Sequence, residues 1–344
     1  MNDEATKPLL SILIPTYNRL SFLETTVDCF LNQIKLARLE NSIEVLIGND
    51  YQSDETPKYI REISAKNNFV QGWNHPVNLG LSGNVEFLVE KAKSEYILIC
   101  GEDDLFRDGA IEYLVKCLKE KNPNFILINT SNIISSDNAN HHYKIVLENR
   151  LNIDKDIFVE DFKKDKEKLS PARDWIHLTN LLPAVIFKKD LFQKELLVVK
   201  KYLRSENLWL WQASVLVGIS KYGKLLVVSK PFVLHRKNES HWSSREKNVT
   251  YFNIFDNAEV ANLLKDYMPS EYRKYKKLYS AFIMGGLLLD TKNGKNVRKL
   301  AWSALCKNLD CFPENVQFLS MIIAPGLINK TSHKLRTYKN NLKS

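Results

Sequence analysis

Short apolar runs alternate with amphipathic stretches over roughly the first 130 residues of the chain. The runs are continuous, as expected for strands that are buried on both faces. They predict strands at Leu9–Pro15, Ile43–Gly48, Phe69–Trp73, Tyr96–Cys100 and Phe125–Ile128. Helical spacing between the runs predicts four helices, the first capped by Ser21, the second capped by Thr56, and the others beginning at Gly83 and Gly109. This alternation predicts an α/β protein with a doubly wound, mostly parallel sheet and helices on both faces.

The rest of the chain divides into a less regular segment and a helical one. Apolar runs predict further strands at Pro183–Phe187, Leu225–Val228 and Phe232–His235, and a Trp-rich helix over Glu206–Lys221. Beyond Tyr251 the spacing of apolar residues is helical. We therefore predict a main domain over residues 1–245, with halves at 9–130 and 131–245, and a helical extension with a basic tail over 246–344.

Composition narrows the class of protein. An apolar fraction of 44% is normal for a chain that buries a core. The five cysteines are scattered and form no CxxC pair. This pattern favours a reducing cytoplasm and argues against a zinc site. We find no signal peptide and no run of about 18 apolar residues, so we expect no membrane-spanning helix.

The net charge of +9 suits an anionic partner such as nucleic acid, a nucleotide or a membrane surface. Basic and aromatic residues do not interleave in any single stretch, so we expect no nucleic-acid partner. After Glu314 the chain has no acidic residue, and the apolar segment Phe318–Ile328 precedes a basic tail. That end of the chain suits either contact with the anionic inner face of the cell membrane or a core helix with a solvated tail.

Polar residues follow three of the predicted strands. Residues 15–19 (Pro-Thr-Tyr-Asn-Arg) follow the first strand, Asn49 and Asp50 end the second, and residues 101–104 (Gly-Glu-Asp-Asp) follow the fourth. Because ligands bind beyond the carboxyl ends of parallel strands, we expect one cleft there. The adjacent carboxylates of the last segment suit either a bound divalent cation or a solvated acidic turn.

The chain lacks the glycine-rich loops that usually hold phosphates. No GxGxxG, GxxxxGK[ST] or GxSxG pattern occurs, and the first strand is followed by a segment without glycine. An anionic ligand must therefore be neutralised in another way, and a metal ion held by Asp103 would do so.

Four segments resemble motifs of glycosyltransferase family 2, the A-type nucleotide-sugar transferases, in both order and spacing. Residues 11–19 resemble the opening motif, and residues 49–56 resemble the segment Asp-Asp-Gly-Ser-x-Asp-x-Thr. Residues 78–80 match Asn-x-Gly, and residues 101–105 occupy the place of Asp-x-Asp. The resemblance implies an A-type glycosyltransferase fold over residues 9–130, and more loosely to about residue 240.

The resemblance also implies roles for the matching residues. Asp50 would accept a hydrogen bond from the nucleotide base, and Asp103 would bind Mn²⁺ or Mg²⁺ at the diphosphate. Glu102 or Asp104 would contact the sugar or hold the metal through water. Arg19 would either pair with phosphate or serve as a surface or helix-end residue. The other implied nucleotide-sugar-binding residues are Pro15 and Tyr17 in the base pocket, Asn78 and Gly80 in the Asn-x-Gly segment, and Arg236 at the diphosphate.

The chain departs from the family pattern at several positions. Asn49 replaces an Asp, Tyr51 and Gln52 replace Gly-Ser, and Gly101 replaces the first Asp of Asp-x-Asp. The Gly-Glu-Asp-Asp form resembles a subgroup that builds bacterial surface polysaccharides and includes abequosyltransferase-like enzymes. The resemblance places the catalytic base in the second half, where Glu206 is the candidate and Asp174 the reserve. His235 would be either a third metal ligand or a structural histidine.

The leading hypothesis is therefore an inverting, metal-dependent glycosyltransferase of bacterial lipopolysaccharide, capsule or another surface polysaccharide. Its donor would be a nucleoside-diphosphate sugar, its acceptor a glycan that is either free or lipid-linked, and its place the cytoplasm or the inner face of the membrane. Two alternatives remain. One is a catalytically degenerate glycan- or nucleotide-binding protein of the same fold, and the other is a nucleotidyltransferase, which would need a glycine-rich basic loop after the first strand.

Overall fold

The structure is a computed structural model that describes most of the chain. The described residues are 7–51, 55–135, 143–172, 175–179, 181–203, 210–236, 249–276, 299, 301–302 and 306. Contacts between Cα atoms divide the chain into two compact units, residues 1–240 and 241–344. The predicted boundary between residues 245 and 246 remains a prediction.

Among the described residues of the first unit, ten strands form a single sheet. They are β1 (Leu10–Thr16), β2 (Ile43–Asn49), β3 (Val70–Asn74), β4 (Tyr96–Ile99), β5 (Leu105–Phe106), β6 (Phe125–Ser135), β7 (Tyr143–Leu147), β8 (Ile157–Val159), β9 (Val185–Lys188) and β10 (Leu225–Arg236). The main path through the sheet is β3-β2-β1-β4-β9-β6-β10-β5, with β7 paired to β6 and β8 paired to β10.

Helices connect most of these strands. They are α1 (Leu20–Leu36), α2 (Thr56–Lys66), α3 (Gly80–Lys91), α4 (Ala110–Lys121), α5 (Phe162–Asp165), α6 (Trp175–Leu178), α7 (Lys189–Val199) and α8 (Leu210–Tyr222). Short 3₁₀ turns lie at Lys166–Leu169 and Leu182–Ala184. In the second unit, α9 (Val249–Tyr267) precedes helical residues 269–276, and the Tyr275 hydroxyl donates to Asn257 Oδ1 at 3.4 Å.

The sheet is mixed but mostly parallel along its first half. The strand pairs β1–β2, β1–β4, β2–β3 and β6–β10 are parallel. Strand β9 lies antiparallel between β4 and β6, so it joins the two parallel parts of the sheet. The predicted α/β fold is thus confirmed, with one antiparallel strand at its centre.

Both faces of the sheet are covered because successive side chains of a strand point in opposite directions. Ile12 and Ile14 of β1 belong to one large core cluster with Val27 and Phe30 of α1 and Leu114 of α4. On the opposite face, Gly48 of β2 approaches α3, and Gly218 of α8 lies against the ring of Phe125. This arrangement explains why the strands read as continuous apolar runs.

Several predicted element ends were wrong. Ser21 does not cap α1, because the helix begins at Leu20 and Arg19 holds the N-cap position without a side-chain cap. Thr56 is the first residue of α2, and Glu55 precedes it at the N-cap position. The two strands predicted at Leu225–Val228 and Phe232–His235 form one strand, β10, whose pairing with β6 shifts between Val228 and Val233.

A search of the described residues for a helix long and apolar enough to cross a membrane found none. Residues 318–344, which contain the predicted basic tail, lie outside the described part of the chain.

The close approach of β2 to α3 gives a stability prediction. A Cβ atom on Gly48 would collide with Oδ1 of Asn84 and lie 3.2 Å from Leu88 Cδ1. We expect Gly48→Ala to lower the free energy of unfolding by about 1–3 kcal/mol, since buried positions have no room for added atoms. Urea unfolding of Gly48→Ala, Asn84→Ala and the double variant measures this, and the double variant should lose less than the sum of the singles. Strict additivity would contradict the predicted collision.

Candidate active site

The site lies at one edge of the sheet, where several strands end. Strands β1, β2 and β4 run parallel, and β10 has the same direction because β9 is antiparallel to both β4 and β6. The carboxyl ends at Thr16, Asn49, Ile99 and Arg236 therefore lie at the same edge. This is the edge at which open α/β sheets bind their ligands.

Two acidic side chains after β4 share one cationic partner. Nη1 of Arg19 donates to Oδ2 of Asp103 at 2.8 Å and to Oε1 of Glu102 at 3.3 Å. All three side chains are largely buried, at 10–15% exposure. Asn18, in the left-handed conformation with φ +53°, forms the turn that precedes Arg19, and Asn tolerates this conformation better than most residues.

Phe22 brings a second guanidinium group to the same place. The guanidinium of Arg19 lies 4.2 Å from the centre of the Phe22 ring, and that of Arg236 lies 5.0 Å from it. Cations are attracted to the face of an aromatic ring, so Phe22 stabilises both. The structure thus brings together the predicted residues Arg19, Glu102, Asp103 and Arg236 around Phe22, a residue for which the sequence predicted no role in the site.

The third carboxylate pairs with the predicted histidine. Nδ1 of His235 lies 2.8 Å from Oδ1 of Asp104, and Asp104 is buried. Burial raises the pKa of Asp104, while the nearby His235 opposes the rise. Burial lowers the pKa of His235, but attraction to Asp104 and their hydrogen bond outweigh it and leave the pKa raised. Any metal role of His235 is therefore left to its other ring nitrogen, Nε2.

The acidic segment is fixed by α1. The hydroxyl of Thr26 donates to the carbonyl oxygens of Glu102 and Asp104, at 2.7 and 3.1 Å. Gln33 lies about two turns further along the same helix and donates to the carbonyl of Phe106 at 3.1 Å. Sequence reasoning missed both residues. Their only signal was the presence of two polar side chains on the otherwise apolar face of a helix.

Gly101 leaves room for the neighbouring carboxylates. A Cβ atom at this position would lie 3.0 Å from Oδ1 of Asp103 and 3.2 Å from Oδ2 of Asp104. Glycine at this position of the Asp-x-Asp pattern thus allows the carboxylates of Asp103 and Asp104 to lie close to residue 101.

The acidic segment also gives a pH prediction. Burial and repulsion by Asp103 raise the pKa of Glu102 from 4.5 to about 7, although Arg19 opposes the rise. Between these two values the folded protein binds more protons than the unfolded chain, so its stability falls as pH rises. We expect Glu102→Gln, which has the same shape and no charge, to remove this part of the pH dependence. Unfolding curves of both proteins across this range test it, and identical pH slopes would contradict it.

Asp50 follows β2 directly and is buried. Its Oδ1 accepts a hydrogen bond from the backbone N–H of Leu79 at 3.2 Å and lies 4.0 Å from Nε2 of His75. Burial raises the pKa of Asp50, and the Leu79 N–H, His75 and Asn84 oppose the rise. Asp50 is therefore a carboxylate held in place from one side.

His75 and Asn84 support Asp50 and were missed by the sequence analysis. Nε2 of His75 lies 3.0 Å from Oδ1 of Asn84, and the Asn84 amide donates to the carbonyl of Gly48 at 2.8 Å. The ring of His75 also packs edge-on against Phe87, with 4.6 Å between centroids. No sequence motif links residues 75 and 84, so only the fold could reveal this contact.

The other residues of the predicted base pocket are placed as follows. The rings of Tyr17 and Tyr51 meet edge-to-face at 5.2 Å. Pro15 is buried within β1, opposite Gly48 of β2. The Asn78 side chain accepts from the N–H of Gly80 at 2.7 Å, and Gly80 has a positive φ of +68° at the start of α3.

Both candidates for the catalytic base, Glu206 and Asp174, lie outside the described residues. Their roles remain predictions. Trp211, five residues after Glu206, lies in α8 and is buried at 6% exposure.

The donor set of the acidic segment fits a divalent cation. Within the described ranges, no group of three or more His, Cys, Asp or Glu side chains is arranged to hold a metal ion. Oxygens of Glu102 and Asp103 nevertheless converge on one cationic atom, Nη1 of Arg19. Carboxylate oxygens suit Mg²⁺ and Mn²⁺, and Mg²⁺ often binds through one or two carboxylates together with substrate phosphates.

Comparison with solved structures identifies the class of fold. The structure of Staphylococcus aureus TarS 1-349 in complex with UDP-GlcNAc aligns with a TM-score of 0.53 and 13% identity, covering 91% of each chain. The Pyrobaculum calidifontis mannosyltransferase PcManGT, in complex with GDP-Man and Mn²⁺, aligns with a TM-score of 0.54 and 10% identity, covering 94% of this chain and 89% of that one. At these identities the likeness shows the fold, which is the A-type glycosyltransferase fold.

The sequence places the chain in a family. The model of "Glycosyl transferase family 2" matches residues 11–194, which is more than half of the 344 residues. The chain therefore belongs to glycosyltransferase family 2, as its motifs predict.

Curated relatives agree with this membership. A Campylobacter jejuni protein named GalNAc(5)-diNAcBac-PP-undecaprenol beta-1,3-glucosyltransferase is 22% identical over 94% of this chain and 97% of its own length. An uncharacterized glycosyltransferase of Rickettsia typhi is 24% identical over 61% of this chain, and the match spans 60% of that protein.

Proposed function

We propose that the protein transfers a hexosyl or deoxyhexosyl group from a nucleoside-diphosphate sugar to a glycan acceptor, with inversion and with Mn²⁺ or Mg²⁺ at the diphosphate. The observation that carries the proposal is the convergence of Glu102 and Asp103 on one cationic atom, at the sheet edge where Asp50 also lies. A pair of carboxylates suits the divalent cation of a bound nucleoside diphosphate. A separate buried carboxylate suits a hydrogen bond from its nucleobase.

Each part of the donor has a matching group in this proposal. Asp50 accepts a hydrogen bond from the nucleobase. Its side chain is held by the hydrogen bond from the Leu79 N–H and by the nearby His75. Asp103 and Glu102 would hold the cation, which would supply positive charge to the diphosphate. The guanidinium of Arg236 adds a further positive charge beside Phe22.

The chemical step is a displacement at the anomeric carbon. The acceptor hydroxyl oxygen forms the new bond to that carbon, and the bond from the carbon to the diphosphate oxygen breaks with its electron pair. The nucleoside diphosphate leaves, and the hydroxyl proton passes to a carboxylate base. We propose Glu206 for this base, with Asp174 in reserve.

The acceptor proposal follows the names of relatives. The Campylobacter relative is named for a polyprenyl-diphosphate-linked glycan. We propose a glycan of a bacterial surface polysaccharide as acceptor, carried on a lipid at the inner face of the cell membrane.

Release of nucleoside diphosphate tests the proposal. Purified protein is incubated with UDP-glucose, UDP-GlcNAc, GDP-mannose and TDP-rhamnose, each with Mn²⁺ or with EDTA. We expect one donor to release its nucleoside diphosphate by slow transfer to water, and EDTA to stop the release. Asp108→Asn, an exposed substitution near the acidic segment, is the control and should keep the release. Hydrolysis that yields a nucleoside monophosphate, or no release from any donor, would contradict the proposal.

A further inference from the structure

The cation site of the proposed donor pocket holds a cation of the protein's own. Nη1 of Arg19 lies 2.8 Å from Oδ2 of Asp103 and 3.3 Å from Oε1 of Glu102. These are the two carboxylates that the proposed function assigns to the metal ion. A guanidinium nitrogen and a divalent cation cannot both occupy the point at which these oxygens converge.

The charges of the site favour this pairing. Glu102, Asp103 and Asp104 follow one another in the chain and are largely buried, so their negative charges repel. Asp104 is balanced by His235 at 2.8 Å. Arg19 offsets part of the negative charge of the other two carboxylates, and without it they would repel each other with little solvent to screen them.

The aromatic contact of Arg19 does not depend on its carboxylate partners. Its guanidinium lies 4.2 Å from the centre of the Phe22 ring, and that of Arg236 lies 5.0 Å from the same centre. The flat guanidinium group of Arg can keep an aromatic contact while its hydrogen-bonding edge turns to a new anion.

We infer that Arg19 competes with the metal ion for Glu102 and Asp103. In the metal-free protein Arg19 pairs with these two carboxylates, and it turns to the diphosphate when metal and nucleotide bind. This inference rests on the proposed function. Metal alone must displace Arg19 from its carboxylates and gives the guanidinium no new partner. Metal together with a nucleoside diphosphate replaces the lost ion pair with a new one to a phosphate oxygen.

The exchange predicts opposite effects of removing Arg19 on the two ligands. Binding of Mn²⁺ alone becomes easier, because no ion pair has to be broken. Binding of the diphosphate becomes weaker, because a charge-assisted hydrogen bond is lost. A residue with a purely structural role would weaken both when removed, since a damaged site binds every ligand less well.

The test measures both ligands on the full chain. The probe for the metal is Mn²⁺ without nucleotide, followed through the electron paramagnetic resonance signal of the free ion. The probe for the diphosphate is UDP, GDP, CDP or TDP with saturating Mn²⁺, followed by calorimetry. For Arg19→Met we expect Mn²⁺ to bind about tenfold more tightly and the nucleotide that binds wild-type protein to bind about 10–100-fold more weakly.

Two further variants complete the test. Arg19→Lys keeps a positive charge and should stay close to wild type in its affinity for Mn²⁺ alone. Arg61→Met, an exposed position on α2, should change neither affinity. If Arg19→Met loses part of its fold, both affinities fall, so tighter Mn²⁺ binding cannot result from damage.

The outcomes separate this inference from the proposed function. If wild-type protein binds a nucleotide with Mn²⁺ but Arg19→Met binds Mn²⁺ no more tightly than wild type, the inference about Arg19 is overturned. The proposed function then stands. If wild-type protein binds none of the four nucleotides with Mn²⁺, the proposed donor site itself is overturned.

Discussion

Replacing Asp103 with Asn is expected to abolish metal-dependent release of nucleoside diphosphate while leaving the fold intact. The substitution keeps the shape of the side chain and removes the charge that pairs with Arg19 at 2.8 Å and that we propose for the metal. Loss of one of two carboxylate ligands should reduce the rate by at least about a hundredfold. The measurement is the initial rate of nucleoside-diphosphate release with Mn²⁺, for Asp103→Asn and for the control Asp108→Asn.

Stability distinguishes this functional loss from damage. Asp103 repels Glu102 and contributes to its raised pKa. Removing that charge should therefore leave the melting temperature of Asp103→Asn unchanged or slightly higher. A variant that loses activity together with several degrees of melting temperature would indicate a structural role for Asp103 instead.

The second large effect is expected at Glu206. If Glu206 takes the proton from the acceptor hydroxyl, Glu206→Gln should reduce the rate of transfer by about 10²–10⁴-fold. Binding of the nucleoside diphosphate should stay within about twofold of wild type, because the base acts only on the acceptor. Transfer of labelled sugar to a lipid-linked glycan extract measures the first effect, and calorimetry measures the second.

Matched variants decide between the two candidate bases. Glu62→Gln, an exposed change of the same kind on α2, should alter neither quantity. If Glu206→Gln transfers sugar at the wild-type rate while Asp174→Asn does not, the assignment of Glu206 is wrong and Asp174 takes its place.

Much of the fold could be predicted from the sequence because the buried strands are continuous apolar runs. The runs at β1, β2 and β4 have no competing helical pattern, and their polar ends at Thr16, Asn49 and Gly101 indicated the edge that holds the site. The position of β9 between β4 and β6 could not be predicted. The register of a strand depends on partners that are far away in the chain.

The candidate site was predicted in its residues but not in its contacts. The motifs indicated Asp50, Glu102, Asp103 and Asp104, yet the pairing of Arg19 with Asp103 joins residues 84 positions apart. Contacts of this kind depend on the three-dimensional packing of α1 against the loop after β4.

Supporting residues were harder to find than the acidic ones. Thr26 acts through hydrogen bonds to two carbonyl oxygens of the loop, and His75 acts through its close approach to Asp50. A lone Thr on a helix or a lone His after a strand is common in proteins without any such role. Their supporting roles can be recognised only from the positions of the groups that they contact in the folded protein.

Calorimetric titration of UDP, GDP, CDP and TDP, with and without Mn²⁺, decides whether the protein has a metal-dependent nucleotide site at Asp103. It is carried out on wild-type protein, Asp103→Asn and the control Asp108→Asn. We predict that one nucleotide binds wild type and the control with Mn²⁺, and that binding weakens strongly without the metal or with Asp103→Asn. Absence of binding by all four nucleotides in the presence of Mn²⁺, or binding that ignores both the metal and Asp103, would contradict it.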